Sequence, residues 1–203
     1  MARKKVILTI IFFLVICTLL FFIRGYPPGR SRLPPLKATL LKVGKADAII
    51  VQSDNYAMVI DAGEEEDGEE VTAFLNNQGI TCVDTLIITH FDKDHVGGAD
   101  TLVESVKVGR VLLPYYEGVS TEYLDFMKAL KQTGLKPERL SKPLNFKIGE
   151  ASVLVEPPLS YQVDSSQAEN DNNFSLITTI THGENVLLFT GDMEKQRIRK
   201  WVS

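Results

Sequence analysis

Thr89-His90-Phe91-Asp92-Lys93-Asp94-His95-Val96-Gly97-Gly98 sets four donor side chains, His90, Asp92, Asp94 and His95, within six consecutive positions. Imidazole nitrogens and carboxylate oxygens are the ligand atoms of zinc, and the carboxylate content also suits manganese or another hard divalent ion. A turn can direct His90 and Asp92 to one ion and Asp94 and His95 to its neighbour, because alternate residues in extended backbone share a side and adjacent residues diverge. Gly97 and Gly98 permit close backbone approach and a sharp exit into a helix. The competing reading is a solvated acid-rich turn; the apolar strand before the run and the paired glycines after it speak against that. Lys93 reads as a solvent-facing residue.

Upstream, Val83 to Thr89 encloses Leu86-Ile87-Ile88 between polar ends, the signal of a strand covered on both faces. Lys37 to Val43 and Ala48 to Ser53 alternate as strands, broken by Gly44 and Asp47, and Asp47 is expected to serve that turn. Ser53-Asp54-Asn55 supplies turn chemistry for a return strand over Tyr56 to Ile60. It delivers Asp61 to a strand end, where the carboxylate either caps a turn or orients a ligand histidine from behind. Glu69 to Gln78 carries Val71, Phe74 and Leu75 on one helical face, with Gly79 as a stop.

Downstream, a helix holding Leu102 and Val103 leads to a short strand, Arg110 to Leu113, closed by Pro114. Residues 120 to 132 form an amphipathic pattern through Tyr123, Leu124, Met127 and Leu130, with Ser120 or Thr121 as N-cap. Leu144 to Ile148 and Ala151 to Val155 make a hairpin around Gly149-Glu150. After a polar excursion from Glu156 to Asn173, Phe174 to Ile180 and Val186 to Thr190 pair across His182-Gly183-Glu184-Asn185, where His182 reads as a turn residue. The last strand carries Asp192 toward the sheet edge that presents His90, and Glu194 to Val202 allows a short helix. Strands joined partly by hairpins and partly by helices predict a layered α/β structure with mixed sheets.

Among the 203 residues, 44% are hydrophobic and 24% charged, and the formal net charge of −4 excludes a basic nucleic-acid coat. It does not exclude a phosphate substrate at a metal-bearing site, where the ion supplies local positive charge; Lys93, Lys107 and Arg110 are candidate phosphate contacts. Cys17 and Cys82 cannot form a disulfide framework or a thiolate cluster, and each reads as a small hydrophobe. Val6 to Ile23 holds no charged residue and is long enough to span a bilayer. Arg3, Lys4 and Lys5 before it favour an inside N-terminus and an extracytoplasmic remainder. The run exceeds the usual length of a signal-peptide core, and Gly25 to Pro35 is a proline-rich spacer in which a helix cannot continue. The expected organisation is therefore an anchor and spacer over 1–35 and a domain over 36–203, a single-pass protein of the cell membrane.

The quoted run, with Val43-Gly44-Lys45-Ala46-Asp47-Ala48, Ile60-Asp61-Ala62-Gly63, Asn172-Asn173-Phe174-Ser175-Leu176 and Leu188-Phe189-Thr190-Gly191-Asp192, resembles the metallo-beta-lactamase superfamily. Within it the likeness is to the hydrolase domain of DNA-uptake competence proteins of the ComEC/Rec2 type. The resemblance implies a four-layer αββα sandwich and a site for up to two divalent ions. His90 and Asp92 then match first-metal positions, Asp94 and His95 second-metal positions, and Asp192 the bridging carboxylate. Asp94 would help orient the nucleophile, and Asp61 would support a ligand from the second sphere. Glu156 and Ser175 are the candidates for a position where the family carries histidine. Relatives continue beyond the bridging aspartate to another histidine-bearing loop, so the expectation is a domain lacking its usual C-terminal portion, with an impaired second ion site. A complementary C-terminal segment or a membrane-protein partner would complete it. The implied activity is phosphodiester hydrolysis on DNA; the alternatives are hydrolysis of another extracytoplasmic ester or lactam, and an inactive membrane-anchored binding module.

Overall fold

Residues 35–160 and 172–202 are described by a computed structural model. The anchor run Val6 to Ile23, nearly all of the spacer, and most of the polar excursion lie outside them; among the described residues no helix is long and apolar enough to cross a membrane.

Strands β1 (Leu36–Leu40), β2 (Ile49–Ser53) and β3 (Tyr56–Ile60) form an antiparallel meander. A 3₁₀ turn (Glu65–Asp67) leads into helix α1 (Gly68–Asn77), short β4 (Cys82–Val83) and β5 (Thr85–Ile87). Next come helical turn α2 (Lys93–Val96), α3 (Ala99–Ser105), β6 (Lys107–Val108), β7 (Val111–Pro114), α4 (Thr121–Thr133) and β8 (Glu138–Leu140). Helical crossovers make β3, β5, β7 and β8 mutually parallel, so the first sheet runs β1-β2-β3-β5-β7-β8. Strands β4 and β6 pair separately beside it. The hairpin β9 (Leu144–Ile148) and β10 (Ala151–Glu156), a 3₁₀ turn (Asn172–Phe174), β11 (Ile177–His182) and β12 (Asn185–Phe189) build an antiparallel second sheet, and α5 (Lys195–Trp201) closes the described chain.

Period-two alternation divides the core in two. Ile50, Val59, Leu86 and Val111 face one side of the first sheet, where Val71 and Leu75 of α1, Leu102 of α3 and Phe126 and Leu130 of α4 cover them. Ile49, Val51, Met58, Ile60, Ile87 and Leu112 face the other side and meet Ile148, Val153, Val155 and Ile180 of the second sheet. Helix, sheet and sheet are thus stacked as three of the four expected layers. On the outer face of the second sheet Ser152, Thr181, Val186 and Leu188 remain exposed.

Two local differences from the sequence reading matter for the site. The quoted run is not extended throughout: Asp92 is the extended residue before α2, and Lys93 to Val96 wind into a helical turn, with the His95 and Val96 amides donating to Asp92 O. The helical turn brings His95 beside His90. Strand β8 and the β4/β6 pair, each too short to show alternation, had no periodic signature. Ser120 is the N-cap of α4, accepting from the Tyr123 amide.

Candidate metal centre

The site lies at the C-terminal ends of β3 and β5, the edge where parallel strands of open α/β sheets commonly present functional loops. Asp61 leaves β3 with φ of 57°, a left-handed conformation uncommon outside glycine and asparagine-like residues. Its amide donates to Ile87 O, so the conformation is fixed where the two strands separate. That twist turns the carboxylate inward: Oδ1 accepts from the Thr89 amide at 2.7 Å, and Oδ2 accepts from the Thr89 hydroxyl at 2.7 Å and from His95 Nδ1 at 2.8 Å.

Donor counting sets the histidine tautomer at position 90. The single Thr89 hydroxyl proton goes to Asp61, which as a carboxylate only accepts. Toward His90 Nδ1, 3.0 Å away, Thr89 Oγ1 can then only accept, so Nδ1 carries the hydrogen. Nε2 is left with its lone pair facing the site. It is buried without a hydrogen-bond partner, and Asp92 Oδ2 lies beyond hydrogen-bond range at 3.6 Å. A buried nitrogen held with an unused lone pair is unfavourable unless something electrophilic meets it.

His95, on α2, packs against His90 with ring centroids 4.1 Å apart, and its Nε2 stands 3.4 Å from Asp192 Oδ1. Burial opposes its charge, but Asp61, Asp192 and Asp94 outweigh that effect and raise its pKa to about 9. A cation binding at Nε2 must therefore displace a proton. Asp192 arrives from the second sheet through Gly191, whose φ is 50° and whose α-carbon packs so closely on Thr89 and Ser175 that a Cβ would lie 2.8 Å from Thr89 Oγ1. The Leu176 amide donates to Thr89 O and ties the two sheets together here.

His90, His95 and Asp192 bring one ligand atom each to within 4.8 Å of one another, and Asp47, Asp61 and His95 form a second such group. Two imidazoles and a carboxylate are a zinc-type donor set, and carboxylates dominate the second group. The orphaned His90 nitrogen and this donor chemistry fit a divalent cation. Asp92, half-exposed beside His90, has its pKa lowered chiefly by that ring, against the effect of burial. Asp94 joins neither group, although its charge helps raise His95 and Asp47.

Glu156 joins neither ligand group, whereas Ser175 packs with Thr89 against Gly191 at the edge of the site. The Ser175 hydroxyl donates to Asn172 O, and the Glu156 carboxylate accepts from the Trp201 indole nitrogen. Sequence reading assigned Asp47 only to a turn. In the structure its amide bonds Asp94 O and its carbonyl accepts from the Gly63 amide, which carries the side chain to the site. Burial is the leading cause of its raised pKa, and Asp61, Asp192 and Asp94 add to it. Thr89 was also missed; a hydroxyl immediately before the first ligand was the available signal. Of the candidate phosphate contacts, Lys93 pairs with Glu64 at 3.3 Å. Arg110 lies over the Phe146 ring and bonds Thr85 at the opposite end of the parallel strands, and Lys107 precedes it there in β6.

The profile described as Metallo-beta-lactamase superfamily matches residues 41–203. ComE operon protein 3 of Bacillus subtilis is 28% identical over 205 residues, covering 90% of this chain and 25% of that protein. Recombination protein 2 of Haemophilus influenzae is 24% identical over 166 residues, covering 79% of this chain and 19% of that protein. The chain thus spans a quarter or less of these curated relatives. Among solved structures, the metallo-beta-lactamase fold protein YhfI from Bacillus subtilis superposes with a TM-score of 0.51 at 13% identity, covering 77% of this chain and 62% of that one.

Proposed function

The chain belongs to the metallo-beta-lactamase superfamily, and from that premise we propose that it is a metal-dependent hydrolase of an uncharged ester or lactam, with His90, His95 and Asp192 holding the ion. The observation that carries this reading is the buried His90 Nε2, whose lone pair faces His95 and Asp192 with no protein donor to satisfy it. Zinc suits the two imidazoles, and manganese is the alternative that the carboxylates allow. Asp47 and Asp61 with His95 offer a second position, weakened as a separate site by its reuse of His95. When bound, a divalent cation supplies Lewis acidity and lowers the pKa of coordinated water toward neutrality.

The chain's own groups supply the rest. Asp61 holds both imidazoles in the required tautomer and orientation, directly at His95 and through Thr89 at His90. Asp192 offers a half-exposed carboxylate at the mouth, and Asp94 is the group proposed to orient the attacking water. An uncharged substrate is favoured by the surrounding charge. Glu64, Glu65, Glu66 and Asp67 follow directly from the Asp61 loop, Lys93 is engaged by Glu64, and Lys107 and Arg110 stand at the far end of the sheet. Beyond the reach of the bound ion, a polyanion would meet the acidic residues of this loop.

The second reading, phosphodiester hydrolysis on DNA in an uptake system, is favoured by the names of the two curated relatives. On either reading we place the catalytic domain outside the cell membrane, anchored by Val6 to Ile23. The test is turnover by the full chain, loaded with zinc or manganese, of a chromogenic lactam, p-nitrophenyl acetate, bis-p-nitrophenyl phosphate and single-stranded DNA. Metal-dependent cleavage of the ester or lactam, abolished by His95→Ala, is expected. Cleavage of the phosphodiesters alone would replace the first reading by the second. Stoichiometric metal binding without turnover of any substrate would leave a binding module.

A further inference from the structure

Between Thr89, tied to Asp61 and Leu176, and the start of α2, the chain passes through His90, Phe91 and Asp92. The backbone of Phe91 is held here by side chains from one neighbouring loop. The Phe91 amide donates to the Tyr116 hydroxyl at 3.1 Å, and the Phe91 carbonyl accepts from the Ser120 hydroxyl at 3.3 Å. That loop follows β7, the strand beside β5, and so reaches the same sheet edge.

The loop is itself held in place. Arg139 of β8 donates to the carbonyls of Pro114, at 3.2 Å, and Tyr116, and its other nitrogen bonds Glu117 at 2.9 Å and the Tyr123 hydroxyl at 2.7 Å. The Phe91 ring, 1% exposed, stacks at 4.6 Å on Tyr116 and 4.5 Å on Tyr123, and Tyr116 leans on Phe174 at 5.0 Å. Aromatic packing accounts for the burial of Phe91. It does not account for a tyrosine hydroxyl directed at the peptide nitrogen between two candidate metal-site residues, since phenylalanine would fill the same volume.

We propose that Tyr116 is a positioning residue of the metal centre: its hydroxyl fixes the His90-Phe91-Asp92 peptide and thereby the separation of the His90 imidazole and Asp92 carboxylate. The proposal rests on the metal-site reading above for its consequence, and on the Phe91 hydrogen bond for its geometry. Tyr116→Phe keeps the ring and removes the hydroxyl that accepts from the Phe91 amide. One such hydrogen bond corresponds to roughly a threefold to tenfold change in the equilibrium it supports.

The experiment compares the full chain and Tyr116→Phe in two measurements. Amide hydrogen exchange of the metal-free proteins reads the geometry, and exchange at Phe91 should accelerate about threefold to tenfold in the variant. Cobalt(II) titration, followed by competition with a chelator and by the d–d absorption bands, reads the consequence; affinity should fall by a similar factor and the bands should shift. Unchanged Phe91 exchange overturns the proposal whether or not metal binds. A lowered melting temperature with unchanged cobalt affinity and spectrum also overturns it, because a purely structural hydroxyl behaves that way. If the unsubstituted chain takes up no cobalt, the metal-site reading fails, and the exchange measurement alone decides whether Tyr116 holds the peptide.

Discussion

The two sheets contribute to the site in opposite ways. The first supplies Asp61, Thr89, His90 and His95, all 2% exposed or less and joined by hydrogen bonds of 2.7 to 3.0 Å. The second supplies Asp192, 49% exposed, from a loop after β12, whose Val186 and Leu188 face solvent. One side is an interlocked scaffold formed before any ligand arrives; the other presents a carboxylate whose position a bound ion would complete. Preorganised imidazoles with an adaptable acid lower the reorganisation needed on binding.

Breaking the scaffold should have the largest effect. Asp61→Ala strands the Thr89 hydroxyl and removes the partner of His95, and should destabilise the chain by about 3 kcal/mol and abolish tight metal binding, as read by urea unfolding and chelator competition. Gly97→Ala comes next: a Cβ there would lie 2.4 Å from Lys93 O and 2.5 Å from Glu65 N, both backbone atoms. About 2 kcal/mol of stability should be lost in the same unfolding experiment.

His95 sharpens the comparison through pH. Its folded pKa of about 9 lies above the ordinary value of 6.5, so the metal-free protein holds this stabilisation in full below pH 6.5 and loses it as pH rises through about 9. Thermal melts of the metal-free chain should show that decline, and His95→Gln should flatten it. On the second sheet, Asp192→Asn should leave unfolding within about 0.5 kcal/mol while weakening metal binding. Leu188→Thr should change neither measurement beyond about 0.5 kcal/mol.

The scaffold side was the more legible in the sequence. Apolar strands ending at Asp61 and His90, and the paired glycines, follow from periodicity and sterics that act over a few residues. Asp192 was found because a short strand leads directly to it. Asp47 and Thr89 were missed because their roles depend on contacts across 14 and 28 residues of chain, from Asp47 to Asp61 and from Asp61 to Thr89. Spacing within one segment carries no trace of such contacts. A turn in residues 90 to 95 was legible, but not that the His95 and Val96 amides close it helically on Asp92 and set His95 beside His90. Asp94 joins neither donor group. Glu156 was a candidate by order along the chain, and order does not reveal that its side chain bonds Trp201, whereas Ser175, the other such candidate, lies against Gly191 and Thr89.

The most direct test of the metal centre is anomalous diffraction from crystals of the full chain grown with zinc. An ion at about 2.0 to 2.2 Å from His90 Nε2, His95 Nε2 and an Asp192 oxygen is the predicted result. Zinc bound elsewhere, with His90 Nε2 uncoordinated, would contradict it.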